Sequence, residues 1–189
     1  HALQSLAAGA AAAPSLARNG SMIVQTDFAA AVERGRCFGV ANQVGVTSQA
    51  GLSATTPVLT LANPAGSGVR GRLWFAGCIL TVAPATAGAI FLAVGANTIA
   101  AVVTGTLTTA HRNLKLGGEN AQGNKIVAFL AATLPAAPVA IAILGLNLTG
   151  AITTETQPPA VGRWFHCGLL IMPGTNISIQ TGVASGASG

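Results

Sequence analysis

The chain has 189 residues, of which nine are Lys or Arg and four are Asp or Glu, giving a formal net charge of +5. Only 7% of the residues are charged, against about a quarter in an ordinary soluble monomer, and tyrosine is absent. The length suits one domain with a full core, and so few charges argue against a solitary, well-solvated surface and for a subunit covered by identical neighbours.

Residues 1–20 are Ala-rich and read as an extended or partly helical N-terminal arm. They lack the Lys or Arg that stands before the apolar region of a signal peptide, and suit a segment lying across a neighbouring subunit. Residues 21–182 read as one β-domain, and 183–189 as a flexible Gly/Ser/Ala tail. Within the domain, Ser21–Asp27 follows an Asn19-Gly20 turn as a first strand. Ala29–Arg34 makes one helical turn, and Arg36–Asn42 returns to a strand pattern. Pro57–Ala62 is a strand ending in the loop Asn63-Pro64-Ala65-Gly66-Ser67-Gly68. Val69–Val82 is the longest strand, and both its faces are apolar, which predicts a strand that is central or buried on both sides.

Ala89–Val94 and Thr98–Val103 follow as strands, split at Gly95-Ala96-Asn97. Lys115–Lys125 is the most polar stretch and reads as an exposed loop; Ile126–Leu134 reads as a strand or a short helix. Val139–Thr149, cut by Gly145, and Gly162–Met172 are further strands. Thr175–Thr181 alternates most cleanly, which predicts Ile177 and Ile179 inside with Asn176, Ser178 and Gln180 outside. About nine strands separated by Gly, Pro and Asn turns predict an all-β fold, an antiparallel β-sandwich of jelly-roll type.

From residue 73 to 111 there is no Asp, Glu, Lys or Arg, long enough for a membrane span. The stretch is broken by Gly77, Pro84, Gly88, Gly95 and Gly105, and its apolar runs, Leu73–Val82 and Ala89–Val94, are of strand length. A small membrane protein is therefore the remote alternative, and no membrane partner is expected. The three cysteines, Cys37, Cys78 and Cys167, are odd in number and form no CxxC, which predicts unpaired thiols and a reducing cytoplasm during assembly.

The residues carry little chemistry. Four acids and three histidines are too few for most hydrolytic arrangements, and His166 and Cys167, as neighbours on a strand, point to opposite faces and do not chelate one metal together. Gly117–Lys125 is Gly-rich but lacks the GxxxxGK[ST] pattern of a phosphate loop. The expectation is no enzyme, no cofactor and no metal. The one interaction feature is a pair of arginine pairs, Arg34/Arg36 and Arg70/Arg72. Spaced by two, each pair shares a strand face, as an anion-facing stripe or as a charged edge kept open against aggregation. No aromatic residues interleave with them, so no specific nucleic-acid partner is expected.

Three phrases resemble a family of uncharacterised structural proteins of tailed bacteriophages. They are Glu33-Arg34-Gly35-Arg36-Cys37-Phe38 running into Ala41-Asn42-Gln43, then Leu61-Ala62-Asn63-Pro64-Ala65-Gly66-Ser67-Gly68, and Ala93-Val94-Gly95. Their order and spacing are similar over about residues 20–100. The resemblance implies a virion protein assembled in the host bacterial cytoplasm, with no catalytic residues to carry over. The reading that follows is a head decoration or cement protein, a homotrimer contacting the major capsid protein or other virion subunits. A tail, neck or fibre adaptor, or a glycan- or receptor-binding adhesin on the same sandwich, is the alternative. Sugar sites favour exposed aromatic platforms, and Trp74 and Trp164 lie within apolar strands, which predicts that they are buried.

Overall fold

The computed structural model describes residues 27–42, 51–79, 88–107, 112–115, 125–147 and 160–182. The arm at 1–20, the expected first strand up to Thr26, the tail at 183–189 and most of the Lys115–Lys125 loop lie outside these residues. Among the described residues one short helix, α1 (Asp27–Glu33), precedes ten strands: β1 (Phe38–Gly39), β2 (Leu59–Asn63), β3 (Gly71–Ile79), β4 (Gly88–Ala96), β5 (Thr104–Leu107), β6 (Arg112–Asn113), β7 (Val127–Thr133), β8 (Val139–Asn147), β9 (Ala160–Ile171) and β10 (Thr175–Thr181). The fold is all-β and antiparallel throughout.

Pairing is nested: β2 pairs with β10, β3 with β9, β4 with β8, and β5 with β7. The eight strands are therefore a long antiparallel ribbon folded back on itself, the wrapping of a jelly roll. Two further pairings, β10 with β4 and β2 with β7, join the turns of the roll into a six-stranded sheet ordered β5-β7-β2-β10-β4-β8. The β3–β9 pair remains separate and packs over one face of that sheet. Leu73, Ala76 and Cys78 of β3, with Phe165, Leu169 and Ile171 of β9, meet Ile90 and Leu92 of β4, Leu144 of β8, and Ile177 and Ile179 of β10. A second apolar cluster, Ala62, Val103, Ala132 and Leu134 with Val127 and Phe129, lies at the β2–β7 end.

Several sequence expectations change. Among the described residues β3 is not central: it pairs there with β9 alone, and its outer side is exposed, Ile79 to 61%. Thr98–Val103 is not a strand; β5 begins at Thr104, after a loop held by Asn97, whose Oδ1 accepts the Val103 amide at 2.9 Å. Arg36–Asn42 contributes only the two residues of β1. Of the two readings of Ile126–Leu134, the strand is the one observed, as β7. Asn176, Ser178 and Gln180 are buried rather than outside, Gln180 to 2% exposure. Gln180 Nε2 donates to Ser178 Oγ at 3.1 Å and Asn176 Nδ2 to the Ala96 carbonyl at 2.7 Å, while Asn176 Oδ1 is buried without a hydrogen-bond partner among the described residues.

Two local devices place the ribbon. Helix α1, built on an Ala-rich run, ends where Gly35 takes a left-handed φ of 65°. There the Arg36 amide donates to Ala31 O and the Gly35 amide to Val32 O, both at 2.9 Å, which caps the helix C-terminus. Asn63, fully buried at the end of β2, holds the ribbon to the sheet. Its Nδ2 donates to Val69 O at 2.9 Å, just before β3, and to Ile171 O at 3.0 Å, the last residue of β9. Its Oδ1 accepts the Ser67 hydroxyl at 2.6 Å. Replacing Asn63→Ala removes the amide donor from the buried Ile171 carbonyl and the half-buried Val69 carbonyl and should lower stability by about 2 kcal/mol, read as a drop in the urea midpoint at fixed protein concentration. An unchanged midpoint would show that the ribbon is held without this clamp.

Candidate functional site: an aromatic and arginine face on the outer ribbon

β9 carries more chain than β3. Leu73 pairs with Leu169 and Phe75 with Trp164, so Trp74 alone faces the four residues from Phe165 to Gly168. A bulge this large bends the strand and re-aims its side chains. It also ends strict alternation at His166 and Cys167, so their expected placement on opposite faces does not follow; His166 is exposed, and the Cys167 side chain lies outside the described residues.

Around the bulge the aromatic residues gather. Phe28 of α1 makes edge contacts with both tryptophans, at 5.6 Å to Trp74 and 5.9 Å to Trp164 between ring centres. Phe75 and Trp164, a cross-strand pair, lie 5.2 Å apart and tilted by 46°. Such geometries add about 1 kcal/mol each beyond area burial. Two glycines of β9 make room. A Cβ on Gly162 would sit 2.6 Å from Phe75 Cζ, and one on Gly168 would overlap the Arg72 stem. Gly168 also has φ +66°, a conformation costly for any other residue. Arg72 thereby crosses β9 and sets its guanidinium 5.5 Å over Trp74. At the other side of β9, Arg163 stands 5.8 Å over Phe165.

The expectation that both tryptophans are buried is therefore corrected. Trp164 is 58% exposed and Phe75 48%, both aimed off the outer side of the ribbon, while Trp74 is half-buried beneath Arg72. All four arginines of the expected stripe are exposed. Arg70 and Arg72 lead into and along β3. Arg34 and Arg36 flank Gly35 past the end of α1, where Asn113 Nδ2 donates to Gly35 O at 2.9 Å. The link between the pairs runs through α1, since Phe28 touches the tryptophan over which Arg72 stacks. Aromatic rings do accompany the arginines, brought from Phe28 and Trp164, which the spacing of Arg34, Arg36, Arg70 and Arg72 does not reveal.

A second apolar surface lies on β8, an edge strand of the large sheet. Val139, Ile141, Ile143 and Leu146 are all exposed there, and no residue of β8 is charged. The opposite edge, β5, is short and Thr-rich, and its register with β7 is broken.

Among the described residues no group of three or more His, Cys, Asp or Glu is placed to hold a metal ion. No helix among them is long and apolar enough to cross a membrane. Cys37 and Cys78 are free thiols. Burial pushes the Cys78 thiol up to about 11. Burial also raises Cys37, against a smaller lowering by a hydrogen bond with the Phe38 backbone. No protein-family model matches the chain, and neither a curated protein nor a solved structure matches it.

Two measurements check this geometry. Gly168→Ala should destabilise by about 2 kcal/mol from backbone strain together with the displaced Arg72 stem, and shift tryptophan fluorescence. In an Arg72→Ala background the stem part of the loss should vanish and the backbone part remain; purely additive losses would deny the close approach. For Cys78, at pH 8 the folded wild type and Cys78→Ser should titrate with the same number of thiols, and differ by one only after denaturation. Because the folded thiol holds its proton more tightly than the ordinary value of 9.0, Cys78 supports the fold below pH 9, and this support is lost as pH rises towards about 11. A Cys78→Ser variant with the same alkaline loss of stability would contradict this.

Proposed function

We propose that the protein is a structural subunit of a bacteriophage virion, most simply a head decoration or cement protein that stabilises the shell through contacts between copies and with the major capsid protein. The observation that carries the reading is the pair of exposed apolar surfaces, β8 on one side and the Phe75–Trp164 face on the other, on a chain with only 7% charged residues. Large contiguous apolar surfaces mark association sites. A jelly roll suits the role, being a domain of viral capsids, though lectins share it. The three phrases that resemble phage structural proteins fall at working parts of the fold. They are the α1 cap leading into β1, the end of β2 with its Asn63 clamp, and the stretch of β4 that pairs with β10. The excess of base, with Arg34, Arg36, Arg70 and Arg72 exposed, complements an acidic shell surface.

A second reading is favoured by Trp164. Its exposure removes the objection to a glycan- or receptor-binding adhesin, or to a tail, neck or fibre adaptor that carries such a site. Copy number separates these. Quantitative mass spectrometry of purified virions should find the chain at a stoichiometry comparable to the major capsid protein. A single ring's worth of copies would move it to the neck or tail. Complete absence from virions would end the virion reading.

A further inference from the structure

We infer that copies of this chain join head to tail, the β8 face of one copy packing against the outer β3–β9 face of the next, so that the assembly closes as a ring. The inference rests on the reading that the protein works as assembled copies, and it names the two surfaces that meet.

The first ground is chemical match. β8 offers Val139, Ile141, Ile143 and Leu146 with no charged residue along the strand. A charged partner finds no counter-ion there, and a sugar finds no donor or acceptor among those four side chains. The β3–β9 face offers Phe75, Ile79, Trp164 and Leu170, all exposed, with Arg72 at its flank stacked on Trp74. Apolar centres with aromatic and arginine anchors are the composition of cohesive contacts between proteins. β8 and β3 are nine residues each, about 30 Å long, so the two surfaces match in length.

The second ground is charge. Each copy carries +5, so copies repel over most of their surface and approach most easily where a face has no charge. β8 is such a face.

The third ground excludes the symmetric alternative of β8 pairing with β8 of a second copy through the backbone. Against β4, β8 carries two extra residues, Ile141 and Leu144, each at a break in register. Two bulges in nine residues spoil the regular row of amides and carbonyls that strand addition needs, and edge bulges are a known guard against it. β8 therefore docks through side chains. Two different patches per subunit make a head-to-tail contact, which closes into a ring when the rotation allows.

Sedimentation velocity on the full chain tests this, using the wild type, Ile143→Glu, Trp164→Glu and an equimolar mixture of the two variants. Both positions are exposed, so folding should survive; far-UV circular dichroism checks it, and Ile143→Thr and Trp164→Ser replace any variant that fails. The wild type should sediment as one closed oligomer. Each variant alone should associate about a hundredfold more weakly and run as a monomer. The mixture should recover a one-to-one pair, because the intact β8 of Trp164→Glu meets the intact ribbon of Ile143→Glu.

Retention of wild-type mass by Ile143→Glu would leave the ribbon face pairing with itself. Retention by Trp164→Glu would leave that face free for another ligand, such as a saccharide. Either result overturns the inference, as does a mixture that stays monomeric, a monomeric wild type, or an unbounded ladder of sizes. Absence of the chain from virions would remove the virion role and leave these surfaces as inferred. A monomeric chain found at high copy on virions would do the reverse.

Discussion

Strand β10 is the constraint on which the structure depends. It pairs along one edge with β2 and along the other with β4, and residues Asn176 to Thr181 are all buried. Its isoleucines face the ribbon and complete the core beneath β3 and β9. Its polar residues face the other way and are enclosed as well. A strand shut in on four sides has one register, since a slip by one residue would drive Asn176, Ser178 and Gln180 into the apolar core. Through that register, the positions of β2, β4 and β8 follow, and with β2 the Asn63 clamp that fixes the end of the ribbon.

The fold class was legible because it is written locally. Short apolar runs between Gly, Pro and Asn turns locate strands, and Thr175–Thr181 was bounded correctly by its alternation. Sidedness was harder. Alternation separates polar from apolar residues but does not say that the polar side meets water. The amide of Gln180 is satisfied by Ser178 two residues away, a partner inside the same strand, and so tolerates burial. The error on β3 runs the other way. Two apolar faces normally mean a strand in the middle of a sheet, and here one of them is left exposed at Phe75 and Ile79. One strand's text carries no record of its neighbours, because pairing is a property of distant residues.

The candidate face was legible only in part. Arg34, Arg36, Arg70 and Arg72 are all exposed, but only Arg72 lies in a strand, so the expected sharing of a strand face does not arise, and the aromatic residues beside them come from α1, β3 and β9. The bulge that gathers them exists only relative to β3: it is a surplus of residues in β9 against a partner many positions earlier. Gly168, set within an apolar run, was its one local sign. A glycine there serves backbone conformation and space for a neighbouring stem, neither of which apolar periodicity registers.

The nested pairing also dictates an order of events during synthesis. β5 and β7 are the closest partners along the chain, whereas Leu61 of β2 must wait for Ile177 of β10, the last strand described. Loop-closure entropy grows with each outer layer of the nest, so the outermost pair gains least from local contacts and is slowest to form. Until β10 emerges from the ribosome, β2 and β4 both hold an open edge, and Ile90 and Leu92 lack the isoleucines that cover them. Until then the nascent domain is a sticky, half-rolled ribbon, closed when β10 takes its place between β2 and β4.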